Sequence, residues 1–366
     1  MGIMGPVKHE RDTDPTRRRA MKTVALDVHA RLTQMSVCGE TGEILLERRV
    51  ETTAAALRRE IGAIPGPKRV VFENGPLAGL VVDAVAGVAE EVISCGPTQN
   101  ALIAGADDSN DENDAQRLGV LSRAGALKAV YVPAEPFRTL RELVCYETRL
   151  TGLLTLEMLQ IKALCRRHGV AYRGKALYAR RNRGEYLERL GRRAAREHLA
   201  SLYRMLDAAR TERVTIRREL RAVCRGMPLL GRLLTIPGIG PVVARVLVAW
   251  IVDPGRFKSR SALAAYAGLG LKQDISAWQP YGRAHASKRG QRQLKRVLFL
   301  AARAVLRWGE SALARRYAAR RAAGWEDRKA IRDVARQLLF VVCHVWRTGE
   351  EYDDARISVP AVPGPR

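Results

Sequence analysis

KTVALDVHARLTQMSVCGETGEILLERRV, residues 22–50, is the stretch that decides the fold. It contains three runs rich in apolar and β-branched residues, KTVALDV, TQMSVCG and EILLERRV, and the last two are joined by the turn-like segment GETGE. Strand-like runs with such short connections predict a three-stranded antiparallel meander. The first of these strands ends on Asp27.

Helical and strand patterns alternate after the meander. In order, they are a helix in TAAALRREIGAI, a fourth strand in RVVFE, a helix in LAGLVVDAVAGV, a fifth strand in EVISC, and a further helix. Three strands followed by this alternation predict an α/β domain with an RNase H-like sheet, in which the first and fourth strands are neighbours. Asp27 and Glu73, at the ends of those two strands, should therefore lie together.

The further helix begins in the acidic segment DDSNDENDAQRL, residues 107–118. Asn110 is a suitable N-cap, and the spacing of Asp111 and Asp114 puts both carboxylates on one helix face. Two carboxylates about 4 Å apart repel by roughly 4 kcal/mol at an effective dielectric near 20, which favours a bound cation. Taken alone, the segment also fits a solvated acidic helix start, which the helix dipole favours.

Four acids at these places, Asp27, Glu73, Asp111 and Asp114, predict a metal site. Oxygen ligands suit Mg²⁺, and we expect two such ions, with Mn²⁺ as a substitute. Two metal ions would polarise a phosphoryl oxygen and stabilise the attacking and leaving oxygens of an in-line displacement.

The charge balance indicates a polyanionic partner. Lys and Arg number 63 against 38 Asp and Glu, which gives a net charge of +25, and nucleic acid is the first candidate. No apolar run is long enough for a membrane span. The six cysteines show no zinc-finger spacing, so we expect a reducing bacterial cytoplasm and association with the nucleoid. Residues 1–20 fit either a disordered basic arm or an over-extended start upstream of Met21.

Residues 134–228 form a second region, rich in Arg and Leu and helical in period. Its two long runs predict an antiparallel helical hairpin or a coiled coil. A plain solvated spacer is the simpler interpretation; pairing of protomers, with nucleic-acid contact through the Arg-rich faces, is the functional one.

Residues 229–355 form a third, mainly helical region. Gly238 and Gly240 in LLTIPGIGP predict a tight turn, like the start of a helix-hairpin-helix motif, whose backbone N–H groups can bind phosphate. A polar loop follows with Ser276 and Ser287. The basic residues expected to bind nucleic acid around it are Lys272, Arg283, Lys288, Arg289 and Arg292. The segment from Trp325 predicts an amphipathic core helix, and residues 356–366 a disordered tail.

Seven motifs together resemble the DEDD insertion-sequence transposases, the group of bridge-RNA-guided recombinases. They are ALDVH, VVFENG and NDENDAQRL, followed by LLTIPGIGP, RFKS, LAAYAGL and SKRG, and the resemblance runs roughly from Lys22 to Asp353. It implies a RuvC-like DEDD nuclease domain over residues 21–133, a helical dimerisation segment over 134–228 and a serine transposase domain over 229–355.

The resemblance also implies a function. Ser276 would attack a DNA phosphate and form a transient phosphoserine link, assisted by metal at the acidic tetrad. A serine hydroxyl needs such assistance because it is a poor nucleophile at its free pKa. The implied partners are donor and target double-stranded DNA, a structured guide RNA, and further copies of the chain, as a dimer or as a tetramer on DNA.

Three alternatives stay open. Ser287 in SKRG is a second candidate nucleophile, although an N-cap is its more ordinary role. The second alternative for the function is a Mg²⁺-dependent, structure-specific endonuclease of Holliday-junction type that uses water as its nucleophile. The third is a non-catalytic nucleic-acid-binding protein descended from a nuclease.

Overall fold

The computed structural model describes residues 21–96, 111–276, 279–286, 290–307 and 309–360, with the backbone alone for 111–114, 271–276 and 279–286. These residues form two compact units that divide between Glu135 and Pro136. Each unit contains its own hydrophobic clusters.

The first unit is built on a five-stranded mixed sheet. Its strands are β1 (Lys22–Val28), β2 (Leu32–Cys38), β3 (Ile44–Glu51), β4 (Lys68–Glu73) and β5 (Glu91–Cys95), in the spatial order β3-β2-β1-β4-β5. β2 is antiparallel to β1 and β3, whereas β4 is parallel to β1 and β5. The predicted meander and the predicted neighbouring first and fourth strands are confirmed. This topology is compatible with an RNase H-like fold.

One face of the sheet carries the main core of the first unit. Successive side chains of a strand point to opposite faces, and Val24 and Leu26 of β1 point to the apolar one. Helices α1 (Ala54–Gly62) and α2 (Ala78–Val85) cover this face with residues such as Leu57. The sequence predicts both helices, and α1 begins after Thr53, whose Oγ1 accepts a hydrogen bond from the Ala56 N–H at 3.2 Å.

Helix α3 (Asp111–Arg123) packs on the opposite face, across β1, β2 and β4. Gly119 lies beside Ala25 and Cys38, and the Arg123 side chain reaches Gly42 in the turn between β2 and β3. Since this turn lies at the end of the sheet where β1 begins, α3 runs antiparallel to β1. Its first turn therefore lies toward the end of the sheet where β1 finishes.

The second unit begins with a helical hairpin. Helix α4 (Phe137–Arg167) packs along α6 (Arg193–Cys224), and they are joined by two 3₁₀ turns and the short α5 (Arg183–Glu188). Glu147 early in α4 meets Arg217 late in α6, at 2.6 Å, so the two helices are antiparallel. An antiparallel hairpin is one of the two predicted arrangements; a coiled coil between protomers stays a prediction.

The second of the two predicted helical runs is interrupted. The chain forms α5, breaks, and restarts at Arg193. Gly191 stands in the break, and glycine is a poor helix former because of its large backbone entropy. None of the helices in the described residues combines the length and apolar character needed to cross a membrane.

In the described part of the second unit, six α-helices follow the helical hairpin. They are α7 (Leu229–Leu233), α8 (Pro241–Ile251), α9 (Arg260–Tyr266), α10 (Arg292–Val305), α11 (Ala312–Ala322) and α12 (Asp327–Thr348). The core lies around α12, whose Ile331, Leu338 and Val342 are fully buried. The predicted amphipathic closing helix is confirmed, and burial raises the pKa of its Cys343 thiol to about 12.

A β-hairpin stands between α9 and α10, where the sequence predicts a polar loop. Its strands are β6 (Leu271–Ser276) and β7 (Gln279–Ala286), and Ser276 pairs with Gln279. The prediction of a loop is therefore wrong for these residues. Ala277-Trp278 connects the strands, and this pair lacks the Gly, Asn or Asp that usually marks a two-residue hairpin turn.

Candidate metal and phosphodiester site

Asp27 and Glu73 lie side by side at one edge of the sheet. The parallel register of β1 and β4 brings them to the same level, on strands about 4.8 Å apart. Two residues earlier, Ala25 and Val71 belong to the cluster under α3, so strand alternation directs both acids to the α3 face. Two of the four predicted acids are thus neighbours on one surface.

A histidine that sequence reasoning did not single out contacts the first acid. The His29 imidazole donates a hydrogen bond from Nε2 to Asp27 Oδ2 at 2.9 Å. The Asp27 side chain is 21% exposed and that of His29 is 57% exposed. The pair therefore sits at a solvent-accessible edge, and His29 is in a position to orient the carboxylate.

A polar row extends from these acids across the sheet. Gln34 of β2 is paired with Asp27 and is buried, and Arg49 of β3 is paired with Gln34. The Arg49 Nε–H donates to Gln34 Oε1 at 3.4 Å. Only the strand register reveals this row, because the three residues are well separated along the chain.

Asp111 and Asp114 occupy the first turn of α3. Their side chains lie outside the description, but their backbone positions precede Ala115 and Leu118, both buried against the sheet, by one helical turn each. Asn110, the predicted N-cap, also lies outside the described residues.

Asp27 and Glu73 supply some, but not all, of the ligands that a hard divalent cation needs. Carboxylate oxygens are the ligands that Mg²⁺ prefers, and Asp27 and Glu73 supply two such groups. Among the side chains that the structure describes, no group of three or more His, Cys, Asp and Glu is close enough to hold a metal ion. Further protein ligands would have to come from positions such as 111 and 114.

The candidate nucleophile belongs to the second unit. Ser276 is the last residue of β6, Lys272 lies in the same strand, and Arg283 lies in β7. Arg292 is the first residue of α10. The predicted residues Ser287, Lys288 and Arg289 lie outside the described part of the chain.

Two glycine motifs meet at the base of the β-hairpin. Gly290, the glycine of SKRG, has a φ of +120°, and a Cβ built on it would lie 2.5 Å from the Cα of Gly268, in LAAYAGL. Next to this contact, the Gln291 N–H donates to the Tyr266 carbonyl oxygen at 2.7 Å. Both ends of the segment that carries Ser276 are therefore joined backbone to backbone.

The RFKS motif also has a structural role. The Arg256 guanidinium lies over the rings of Phe257 and Tyr266, at 4.2 and 4.8 Å from their centroids. Ser259 caps α9 by accepting a hydrogen bond from the Ala262 N–H at 3.1 Å. These residues support the helix that leads into β6.

The predicted glycine turn precedes α8. Gly240 is its N-cap, and a Cβ there would meet nothing within 4 Å, so the approach to this helix start is open. Gly238 has a φ of +81° and packs so tightly on the Ala301 carbonyl that a side chain would clash. Packing on α10 explains Gly238, while phosphate binding stays a prediction for both glycines.

Comparison with known proteins adds a family match in the second unit. Residues 230–318 match the model of the Transposase IS116/IS110/IS902 family. The matched segment covers the glycine turn, the RFKS helix, the β-hairpin and α10.

Three relatives carry related names. A 43.6 kDa protein of insertion element IS110 from Streptomyces coelicolor is 33% identical over 153 residues, 42% of this chain and 37% of its own. A protein of Sinorhizobium fredii named as transposase y4qE is 27% identical over 265 residues, 71% of this chain and 65% of its own. A protein of Pseudomonas aeruginosa named as a family 20 transposase is 35% identical over 92 residues, 25% of this chain and 27% of its own.

The matched regions therefore span less than two thirds of each relative's length. The family model covers α7 to α11, and the y4qE match alone covers more than half of this chain. The family model and the names of the relatives agree on the IS110/IS116 group of transposases as the proteins to which this chain is similar.

Proposed function

We propose that this chain is a DNA transposase that cuts and rejoins DNA by phosphoryl transfer. What supports this activity most directly is the match of residues 230–318 to the IS116/IS110/IS902 transposase family. The neighbouring acids Asp27 and Glu73 support it independently, because carboxylates can hold the divalent cations that stabilise the negative charge of a reacting phosphate.

Ser276 is the proposed nucleophile. Its Oγ forms a bond to phosphorus while the bond from phosphorus to the leaving sugar oxygen breaks; the serine proton passes to a base, and the leaving oxygen takes up a proton. Attack by a hydroxyl of a second DNA end on the phosphoserine reverses these steps and rejoins the strands. Ser276 is the last residue of β6, in a β-hairpin whose base is closed by the backbone contact between Gly268 and Gly290. A residue held in this way is suitable as a positioned nucleophile.

The acidic tetrad is the proposed magnesium site. Asp27 and Glu73 would hold the ions together with Asp111 and Asp114, whose helix starts toward the same end of the sheet. Bound Mg²⁺ supplies Lewis-acid activation of the phosphate. His29 would keep the Asp27 carboxylate oriented.

The DNA partners follow from the proposed activity, whereas the guide RNA and the assembly of protomers are what the resemblance to the bridge-RNA-guided recombinases implies. Donor and target duplex DNA are the substrates, a structured guide RNA selects the sites by base pairing, and protomers assemble through the helical hairpin into a dimer and, on DNA, a tetramer. In such a division of labour the protein reads backbone and shape.

A plasmid recombination assay tests the proposal with three variants, Asp27→Asn, Glu73→Gln and Ser276→Ala. Each should reduce strand exchange by at least about 10³-fold, because each removes a group needed in the transition state, whereas DNA binding should persist. Ser287→Ala is the matched serine control and should retain exchange. Full exchange by Ser276→Ala would remove the nucleophile assignment.

A denaturing gel with end-labelled DNA separates this mechanism from the water-dependent nuclease. A labelled DNA strand that migrates with the protein indicates the phosphoserine link, and Ser276→Ala should lose it. Cut ends without an adduct would instead indicate attack by water. Binding without any metal-dependent cleavage would identify a non-catalytic nucleic-acid-binding protein.

A further inference from the structure

The far end of the α4–α6 hairpin is a self-contained module, which we call the hairpin tip and define as residues 162–210. It has its own hydrophobic cluster, in which Leu164 of α4 packs with Leu177 and with Leu199 of α6. The opposite end of the hairpin joins the larger core of the second unit through Leu140 and Leu220. The hydrophobic core of the tip is therefore formed by the tip's own residues, and its outer surface is available for contact with a partner.

That outer surface carries an unusual density of positive charge. Residues 162–210 contain 14 Lys and Arg against 4 Asp and Glu, a surplus of 10 out of the net +25 of the whole chain. Many of these side chains are solvent-exposed, including Arg180 at 76% and Arg193 at 87%. So many like charges repel one another unless a polyanion neutralises them.

An open cavity with a volume of about 460 Å³ lies among these charges. It is lined by the charged residues Lys175, Arg180, Asp207 and Arg210 and by Met158, Tyr178 and Ala179. Asp207 accepts two hydrogen bonds from Arg183, both at 2.7 Å, and one from the Arg180 Nε at 3.1 Å. The Asp207 carboxylate thus pairs with three arginines, Arg180, Arg183 and Arg210, which leaves a local excess of positive charge.

Asp207 acts as an organiser of this surface. The hydrogen bonds from Arg183 hold the pKa of the Asp207 carboxyl below its usual range, so the carboxylate stays ionised. Arg183 is only 12% exposed and lies over the Tyr203 ring, 4.5 Å from its centroid. Arg183 and Asp207 therefore form a fixed base, while Lys175, Arg180 and Arg210 remain available at the rim of the pocket.

We propose that the hairpin tip docks on the phosphate backbone of double-stranded DNA, with Lys175, Arg180 and Arg210 contacting phosphates. The choice of duplex DNA rests on the proposed function, since a transposase must hold its DNA beyond the cut. Arg and Lys side chains make up most of the charge of the tip, and such side chains suit phosphate contacts that anchor the duplex independently of its sequence.

The length of the helical hairpin determines how long a DNA duplex must be to reach the hairpin tip. From Val144, in the larger core, to Leu164, in the tip core, α4 spans about 30 Å at 1.5 Å per residue. This corresponds to about nine base pairs at 3.4 Å each. A duplex bound by the α7–α12 part of the second unit would thus reach the tip only if it continues by about that length.

Fluorescence anisotropy with full-length protein tests this docking. The tip variant is Lys175→Gln with Arg180→Gln, two exposed residues; the control is Arg48→Gln with Arg59→Gln, two exposed arginines of the first unit, with the same change of charge. We expect the tip variant to bind a duplex of about 40 base pairs about tenfold more weakly, and its slope of log K against log salt to fall by about 1.8. The control should lose less than about twofold, since general charge effects are screened.

Duplex length and nucleic-acid type complete the test. A duplex of about 12 base pairs that reaches the tip would leave only about three base pairs for the α7–α12 part, so the tip variant should lose less affinity on it than on the long duplex. Equal losses by the tip and control variants on the long duplex, or a loss confined to a structured RNA of similar length, would overturn DNA docking. Melting temperatures equal to wild type exclude misfolding of the variants.

Failure of the proposed function has a different signature. A wild-type protein that binds the long duplex through the tip but never exchanges strands would keep the docking surface and remove the transposase activity. If the tip variant instead exchanges strands as efficiently as wild type and binds DNA with the same affinity, the transposase activity is kept and the docking surface is removed.

Discussion

Gly290 shows how a single residue can hold the two ends of a β-hairpin together. Its φ of +120° is a conformation that side chains disfavour, and its Cα faces the backbone of Gly268. This contact closes the base of the β-hairpin, whose first strand, β6, ends on Ser276. The SKRG and LAAYAGL motifs are therefore parts of one joint, in addition to any role in binding phosphate.

Substitution of this glycine gives a residue-scale prediction. Gly290→Ala should destabilise the protein by about 2 kcal/mol or more, because it adds backbone strain to a steric clash with Gly268. Strand exchange should fall together with stability. Gly152→Ala is the control: Gly152 lies in the interior of α4 with open space around it, so alanine should stabilise by about 0.5–1 kcal/mol. Urea unfolding of both variants measures the difference, and equal stabilities would show that the joint is not close-packed.

At the scale of elements, the sheet face that α3 contacts is polar as well as apolar. Four buried polar atoms on this face or on α3 itself have no hydrogen-bond partner among the described residues: Thr23 Oγ1, Ser36 Oγ, Arg69 Nη2 and Ser122 Oγ. Buried polar groups without partners cost free energy. We therefore expect the helix that carries Asp111 and Asp114 to be less firmly bound to the sheet than α1 and α2 on the apolar face.

Two buried threonines on neighbouring strands test this difference. Thr23→Val should stabilise the protein by about 1 kcal/mol, since it removes a hydroxyl without a partner, and hydrogen exchange in α3 should slow. Thr33→Val should destabilise it by about 1 kcal/mol, because the Thr33 hydroxyl is 2.9 Å from the Thr52 hydroxyl. Urea midpoints give the stabilities. If both variants lose stability, the Thr23 hydroxyl has a bound water as its partner.

The same elements show what the sequence can predict. The five strands and the meeting of Asp27 with Glu73 follow from local pattern and strand order. The β-hairpin at Ser276 does not, because Ala277-Trp278 gives no turn signal. Gln34 and Arg49 join the acids only through strand register, which a chain read in order does not reveal.

At the scale of the whole molecule, positive and negative charge are divided between the two units. Residues 1–135 contain 19 Asp and Glu against 16 Lys and Arg, whereas residues 136–366 contain 19 against 47. The unit with the candidate metal site therefore has a small net negative charge, and we expect the second unit to supply most of the electrostatic attraction to DNA. A metal ion that neutralises the acids would remove part of their repulsion of DNA, so metal binding and DNA binding should be coupled.

This coupling can be measured without any cleavage. With Ser276→Ala protein, which should not form the DNA adduct, Mg²⁺ should raise the affinity for duplex DNA by about fivefold or more, within the usual range of coupling between two ligands. Adding Asp27→Asn should abolish the gain, and in EDTA it should strengthen DNA binding slightly, since one repelling carboxylate is gone. The control is Glu40→Gln, an exposed acid beyond β2 at the opposite end of the sheet, which makes the same charge change and should keep the gain. Mg²⁺ that helps the Asp27 variant as much as the Glu40 variant would show that the ion acts elsewhere than at the strand ends.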